Sequence, residues 1–206
     1  MKIIGLTGGS GAGKGEVCKA FLSFGIESID TDKISRDVTK KGGACLDELI
    51  ENFSGAILTE YGELNRKKLA EIAFSSRENL DKLNKITHKH ILNECKRIIL
   101  DMQNAGRTAL IIDAPLLFES GFDKNCDIII SVIADLNKRI DRIIKRDNIT
   151  EQQARARIEN QKNDGFFIGN SDHIIYNNSD CADIYIQVSK IYRIIFEILE
   201  GKINNE

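Results

Sequence analysis

The sequence contains no tryptophan and a single proline, Pro115, in 206 residues. It has no internal repeat and no low-complexity linker, so we expect one domain over residues 1–206. No apolar run approaches the about 20 residues that a bilayer-spanning helix needs, which argues against a membrane partner. The net charge of −2 provides no positive field that would attract nucleic acid.

Disulfide signals are also missing. The five cysteines are an odd number, lie far apart and form no CxxC motif, a pattern typical of reduced thiols. The N-terminal residues, Met1 to Gly5, run into a glycine-rich loop too early for a signal peptide. We therefore expect a cytoplasmic protein.

Short apolar runs alternate with helical patterns along the chain. The predicted strands are Lys2–Leu6, Ile26–Ile29, Thr108–Ile112, Asp127–Ile133 and a fifth around Ile174 and Ile175. Strands alternating with helices predict an α/β fold with a parallel five-stranded sheet flanked by helices. The block from about 33 to 105 is mostly helical, as expected for an inserted substrate-binding subdomain.

The segment TGGSGAGKGE, from Thr7 to Glu16, follows the first strand and opens a helix. Its pattern, Gly8, four residues, then Gly13 and Lys14, is that of a phosphate-binding loop. Backbone N–H groups and the helix N-terminus face the anion, and the lysine adds a full charge. No frame of the loop supplies the dinucleotide pattern GxGxxG. The residues predicted to bind ATP here are Gly9, Ser10, Gly11, Ala12, Gly13, Lys14, Gly15 and Glu16.

Gly15 occupies the position where such loops usually carry a serine or threonine that reaches Mg²⁺. Because Mg²⁺ commonly keeps several waters, the metal can be held in other ways. Glu16 either holds a metal-bound water or is a favourable acid in the first helical turn. Asp113, which ends an apolar strand, is either a second magnesium carboxylate, acting through water, or a turn residue.

Asp30 and Asp32 follow the second predicted strand. Period-two alternation would place both carboxylates on one side of that strand, where one could serve phosphoryl transfer to a hydroxyl. The alternative is that Asp32 only caps the next helix.

A basic segment from about 137 to 162 is predicted to form a helical lid over the triphosphate. The alternative is a solvated charged face. Its arginines are Arg139, Arg142 and Arg146 along one helical stripe, and Arg155 and Arg157 on the next helix.

With these pieces in order, the chain resembles the dephospho-coenzyme A kinases, a family of the P-loop group that includes the nucleoside-monophosphate kinases. The resemblance runs from about residue 2 to 195. PLLFE and the lid pattern RxxxRD…ARxxxQ are its most specific motifs. The matching segments are IIGLTGGSGAGKGEV, IDTDKISRD, GELNRKKLAEIAF, LNKITHKHI, DAPLLFESG, RIIKRDNITEQQARARIENQ and HIIYNNSD.

The resemblance implies a role for each matching residue. Asp32 would be the general base, Lys14 and the loop would bind the ATP phosphates, and Asn177 would lie near the adenine. Arg142 and Arg157 would contact ATP from the lid. The implied acceptor side consists of Thr7, Asp32, Arg66, His88, Leu116, Phe118 and Glu119. The chain departs from the family at Gly15-Glu16 (usually Ser-Thr), at Lys89 (usually Pro) and at Ser179 (usually Gly).

The phosphate loop and the resemblance together imply an ATP- and Mg²⁺-dependent kinase. By the resemblance, it would phosphorylate the ribose 3′-hydroxyl of dephospho-CoA, the last step of coenzyme A biosynthesis. Two alternatives stay open. One is a kinase for another small acceptor such as a nucleoside monophosphate, and the other is a non-catalytic nucleotide-binding regulator. We expect a monomer or a weak homo-oligomer.

Overall fold

A computed structural model describes the backbone of residues 1–199 and the side chains of residues 1–196. The chain forms two compact units. The first combines residues 1–29 with the described residues from Arg107 onward, and the second is Asp30–Gly106. The second unit spans the block, from about 33 to 105, that the sequence marks as a helical insertion.

The strands of the sheet are β1 Lys2–Thr7, β2 Glu27–Asp30, β3 Ala109–Asp113, β4 Ile128–Ile133 and β5 His173–Tyr176. They lie in the order β2-β3-β1-β4-β5, with parallel pairing of β1 to β3, β1 to β4 and β4 to β5. The predicted fold class, a parallel five-stranded sheet flanked by helices, is confirmed. In this register Leu6 pairs with Asp113, so β1 and β3 deliver their carboxyl ends to one edge.

Residues 1–199 contain nine α-helices, none of which is both long and apolar enough to cross a bilayer. The helices are α1 Lys14–Ser23, α2 Thr31–Val38, α3 Ala44–Phe53, α4 Arg66–Ala73, α5 Arg77–Asn104, α6 Leu136–Asp147, α7 Glu151–Glu159, α8 Asp164–Gly169 and α9 Cys181–Leu199. The predicted lid segment, 137–162, thus holds most of α6 and all of α7. The short helix α8, opened by the Asn163 side chain, was not predicted.

One face of the sheet packs against α1 and α9. Alternate strand residues such as Ile4, Leu6 and Ile111 point to this side, as the period of two requires. Phe24, just beyond α1, stacks on Tyr185 of α9 at 5.0 Å between ring centroids. This packing holds the C-terminal end of α1 against α9.

The second unit is a helical bundle with its own apolar core. Its buried side chains are Cys45, Leu49, Phe53, Ile57, Leu69 and Ile86. Glu48 of α3 accepts hydrogen bonds from Lys89 at 2.6 Å and is 2.7 Å from His90, both on α5. The helix α5 therefore continues through Lys89, and this residue helps to hold α3 against it.

Candidate active site

The glycine-rich loop joins β1 to α1 and packs closely against its neighbours. Gly8 has φ +139°, and a Cβ there would overlap the carbonyl oxygen of Val132 in β4. Gly13, the N-cap of α1, has φ +94°, and a Cβ there would overlap the amide of Asn177. These two positions need glycine for both backbone conformation and space. The loop is therefore held in a fixed shape with the N-terminus of α1 at its end.

Lys14 and Asp113 meet where this loop begins α1. The Nζ atom of Lys14 lies 3.7 Å from Oδ1 of Asp113, and both side chains are largely buried. One turn further along α1, Sγ of Cys18 lies 3.8 Å from Oδ2 of Asp113. Burial and the nearby carboxylate raise the pKa of the Cys18 thiol to about 12, so this thiol stays protonated at neutral pH. The strand-end acid is thus beside the lysine of the loop motif.

Ser10, in the middle of the loop, is held through both of its backbone polar groups. Its N–H donates to Oε1 of Gln161 at 2.8 Å, and its carbonyl accepts from Nε of Arg139 at 3.0 Å. Arg139 is only 5% exposed and also pairs with Asp164 at 3.3 Å. Arg139 is therefore part of the support of the loop, although the sequence placed it on the lid stripe. Gln161 and Asp164 received no role from the sequence; the ARxxxQ spacing was the one signal that pointed to Gln161.

Arg142 and Asn177 form the next part of the loop's surroundings. Arg142 donates to the carbonyl oxygens of Gly11 at 3.2 Å and Ala12 at 3.3 Å, and to Oδ1 of Asn177 at 3.1 Å. Asn177, which is buried, donates from Nδ2 to the Ala12 carbonyl at 2.8 Å. Two residues expected to bind ATP are thus brought to the loop itself.

Arg157 has a different neighbour. Its guanidinium pairs with Asp147, the last residue of α6, which also pairs with Arg146 at 2.7 Å. Hydrogen bonds from Arg146, then from Arg157, hold the pKa of Asp147 well below its usual range. Since Arg157 belongs to α7, this ion pair ties α7 to the end of α6. A capping box between Thr150 and Gln153 starts α7 as a separate helix.

The loop after β3 carries the residues of the PLLFE motif. Leu116 is 55% exposed and Glu119 is also exposed. The ring of Phe118 meets Phe166 of α8 edge-on, with centroids 5.2 Å apart. Thr7 is fully buried, and its hydroxyl donates to the Pro115 carbonyl at 3.5 Å. Phe118 is thus packed against α8, whereas the side chains of Leu116 and Glu119 face solvent.

In the second unit, Asp32 lies in the first turn of α2 and is exposed. The prediction that Asp30 and Asp32 share one side of a strand is wrong, because the strand ends at Asp30 and the helix begins at once. The cap of α2 is Asp30, whose carboxylate accepts from the N–H groups of Asp32 at 2.8 Å and Lys33 at 3.2 Å. The Asp32 carboxylate is therefore not used as the N-cap.

Two further acceptor-side residues also lie in this unit. Arg66 begins α4, and its Nη2 donates to the hydroxyl of Thr39 at 2.8 Å. His88 is half-buried on α5, and burial lowers the pKa of its imidazole, so the ring is neutral at pH 7. His88 can offer a hydrogen bond there but no positive charge.

The two candidate metal residues differ in their surroundings. Glu16 is exposed and pairs with Lys19 at 2.8 Å, one turn along α1. Among the described residues no group of three or more His, Cys, Asp or Glu is arranged to bind a metal. Mg²⁺ needs only one or two protein carboxylates when waters and phosphates complete its octahedron. The Asp113 carboxylate, beside Lys14, fits that requirement.

Residues 2–183 match the model of the family described as dephospho-CoA kinase. A dephospho-CoA kinase of Fusobacterium nucleatum is 39% identical over 190 residues, which cover 92% of this chain and 96% of the relative. One of Corynebacterium glutamicum is 36% identical over 199 residues, 97% of this chain and 98% of the relative. The solved structure of dephospho-CoA kinase from Campylobacter jejuni has a TM-score of 0.69 and 26% identity, covering 98% of this chain and all of that one. The matches confirm the resemblance that the motifs indicated: the chain belongs to the dephospho-CoA kinase family.

Proposed function

We infer that the chain transfers the γ-phosphoryl group of ATP to the ribose 3′-hydroxyl of dephospho-CoA, giving CoA and ADP. The observation that carries this inference, beyond the family, is the glycine-rich loop with Lys14 at the start of α1 beside Asp113. Phosphoryl transfer depends mainly on positioning and on stabilising charge, and this arrangement supplies both.

On the ATP side, we assign phosphate binding to the loop N–H groups from Gly9 to Glu16 and to Lys14. Arg142 already contacts the loop carbonyls and Asn177, so it can turn to the triphosphate over a short distance. Asn177 contacts the loop where the adenine is expected. Arg157 would have to leave Asp147 to contact ATP, which makes it a residue of a closed lid.

Bound Mg²⁺ would supply positive charge that stabilises the charge developing on the transferring phosphoryl group. Asp113 is the residue that would hold it, directly or through water, with Glu16 as a second carboxylate. The Nζ atom of Lys14 lies 3.7 Å from Oδ1 of Asp113, so the carboxylate that would hold the metal is next to the lysine that would bind the phosphates.

On the acceptor side, Asp32 would orient the 3′-hydroxyl and accept its proton. Its carboxylate is exposed and is not engaged in capping α2, since Asp30 does that. Arg66 would contribute positive charge and His88 a neutral hydrogen-bonding ring. Leu116, Phe118 and Glu119 would line the acceptor site. Thr7 would act through the Pro115 carbonyl, because its side chain is buried.

We further propose that the segment of about 137–162 closes over bound ATP and that the unit Asp30–Gly106 carries the acceptor. The protein would work in the cytoplasm as a monomer or a weak homo-oligomer.

The test is release of ADP, followed by a coupled assay, with dephospho-CoA and with a panel of nucleoside monophosphates. We expect turnover with dephospho-CoA, and none with a Lys14→Met control. Turnover with a nucleoside monophosphate, but not with dephospho-CoA, would identify the nucleoside monophosphate as the acceptor. Tight ATP binding without turnover on any acceptor would instead identify a nucleotide-binding regulator.

A further inference from the structure

The thiol of Cys18 lies beside Asp113, the carboxylate proposed to hold Mg²⁺. Cys18 follows Lys14 by one turn of α1, and its Sγ donates to Oδ2 of Asp113 at 3.8 Å. The Nζ atom of Lys14 lies 3.7 Å from the other oxygen, Oδ1. Two side chains on one face of α1 therefore contact the two oxygens of a single carboxylate.

Three elements of the first unit hold the thiol in place. Cys18 itself belongs to α1 and packs against the core formed by the sheet, α1 and α9. The Ser28 side chain of β2 hydrogen-bonds with the thiol, and Asp113 is the last residue of β3. The thiol is thus fixed beside the strand-end carboxylate by packing and by a neighbour on a second strand.

The contact gains weight from what α1 lacks. In phosphate loops of this type a hydroxyl after the lysine and a strand-end acid hold Mg²⁺ together. Gly15 has no side chain with which to bind a metal or to contact Asp113. Cys18 follows Gly15 by three residues, so the two positions are neighbours on one face of the helix. The thiol is therefore a donor that α1 supplies next to the position of the missing hydroxyl.

We propose that Cys18 is a positioning residue that orients the Asp113 carboxylate for Mg²⁺, an inference that rests on the proposed function. It compensates in part for the missing hydroxyl at position 15. The final torsion of an aspartate side chain is broad, so an unrestrained carboxylate samples many orientations. The thiol contact narrows this range, as hydrogen-bonding neighbours of metal-binding side chains generally do.

Two substitutions separate this role from simple packing. Cys18→Val keeps an apolar side chain of similar size and removes the donor, whereas Cys18→Ser keeps a donor and loses apolar volume. If Cys18 only packs against the core, valine is the better replacement, but if it orients Asp113, serine is. The control is Cys181→Ser, which removes an exposed thiol at the start of α9.

The first measurement is binding, which needs no turnover. The affinity for a non-hydrolysable ATP analogue is determined by calorimetry in excess Mg²⁺ and in EDTA. Loss of one weak donor should lower the ratio of the two affinities about fivefold in Cys18→Val, and by less than about twofold in Cys18→Ser and the control. The affinity in EDTA should be the same in all four proteins, because Asp113 then has no metal to hold.

An unchanged ratio in Cys18→Val, or a lower ratio in Cys18→Ser than in Cys18→Val, overturns the inference. Circular dichroism checks that the variants are folded. Cys18→Ala, which also lacks a donor, replaces Cys18→Val if the valine variant does not fold.

The second measurement tests the compensation through a cycle with Gly15→Ser. The Mg²⁺ concentration that gives half-maximal kcat/KM should rise about fivefold in Cys18→Val, and the KM for dephospho-CoA should not change. With a serine hydroxyl at position 15, the same substitution should have an effect below about twofold. An effect of equal size in both backgrounds overturns the compensation.

Failure of the proposed function has a different signature. It is overturned by a wild type that binds the analogue more tightly with Mg²⁺ but releases no ADP with dephospho-CoA. The affinity ratios of the two Cys18 variants decide the role of this residue in that case as well.

Discussion

The backbone N–H of Ser10 donates to the side-chain oxygen of Gln161 at 2.8 Å, which links the middle of the phosphate loop to the segment after α7. On the other side of the same residue, Arg139 donates to the Ser10 carbonyl. The loop is thus fixed at a residue whose side chain takes no part in either contact. If the loop binds ATP as proposed, Gln161 would be a positioning residue, because it would act on ATP through the loop.

Replacing Gln161 should weaken ATP binding selectively. Gln161→Met keeps the size but leaves the Ser10 N–H without its acceptor, which costs about 1 kcal/mol or roughly a fivefold rise in the KM for ATP. Gln161→Glu keeps an acceptor oxygen and should recover much of the loss. The KM for dephospho-CoA should not change in either Gln161 variant. The control is Gln152→Met, at an exposed position of α7, which should leave the KM for ATP and the KM for dephospho-CoA unchanged. Equal rises in both KM values would indicate general damage to the fold.

Asp32→Asn should lower kcat by about 10² or more and leave ATP binding nearly unchanged, the usual scale for losing a positioned base. The matched control is Asp30→Asn, because asparagine is also a good N-cap and α2 keeps its start. Steady-state kinetics and ATP titration of both variants decide the matter. If Asp32→Asn turns over normally and Asp30→Asn does not, the base has been assigned to the wrong carboxylate.

Gly15→Ser should be tolerated and should tighten the apparent Mg²⁺ affinity by up to about tenfold, since a hydroxyl can displace one metal-bound water. Gly15 lies inside α1 without a positive φ, and no atom beyond its chain neighbours and the adjacent backbone of α1 lies within 4 Å of the position that a Cβ would take. The measurement is kcat/KM as a function of Mg²⁺ concentration. Gly15→Ala is the control, because it changes helix stability as Gly15→Ser does but adds no hydroxyl. A wild type that is inactive at saturating Mg²⁺, together with an active Gly15→Ser, would mean that the loop has lost its metal.

Amide hydrogen exchange should slow between about residues 137 and 162 when an ATP analogue binds. The change should be larger in α7 than at the start of α6, because Arg139 already anchors α6 to the loop. Mass spectrometry of peptides from the two helices measures the difference. Exchange that is equal with and without nucleotide would leave this segment as a solvated charged face.

Stability should fall as the pH rises above about 9. Burial raises the pKa of Cys45 and of Cys95 from 9.0 to about 11. Between pH 9 and about 11 the thiols ionise in the unfolded chain but stay protonated in the folded one. Their contribution to the free energy of unfolding is therefore complete below pH 9 and is lost as the pH rises above it. Each thiol adds a slope of up to about 1.4 kcal/mol per pH unit.

Urea unfolding from pH 8 upward should therefore show a steeper decline in the free energy of unfolding for the wild type than for the Cys45→Ala, Cys95→Ala double variant. The lysines and tyrosines that also titrate there are common to both proteins, so the difference isolates the two thiols. Parallel pH curves would mean that the thiols ionise alike in both states.

The sequence by itself determined the family, the activity, the sheet and the loop. The pattern of Gly8, Gly13 and Lys14 after an apolar strand is local, and backbone conformation and charge at consecutive residues decide what it does. The PLLFE and ARxxxQ motifs are likewise contiguous, and they indicated the family before any contact was known. The parallel sheet was predicted because strands alternate with helices along the chain, whereas the strand order β2-β3-β1-β4-β5 came from the structure.

Only the tertiary structure decided which polar side chains serve which partner. The helical spacing predicted Arg139, Arg142 and Arg146 on one stripe, yet each has a different partner. Arg139 is buried and donates to the Ser10 carbonyl, and Arg142 donates to the Gly11 carbonyl. Arg146 pairs with Asp147. Asp30 rather than Asp32 became the cap, because β2 passes directly into α2. The Ser10 contact with Gln161 joins residues 151 positions apart. Helical or strand period fixes the direction of a side chain, whereas its partner depends on packing between distant segments, which a local pattern does not encode.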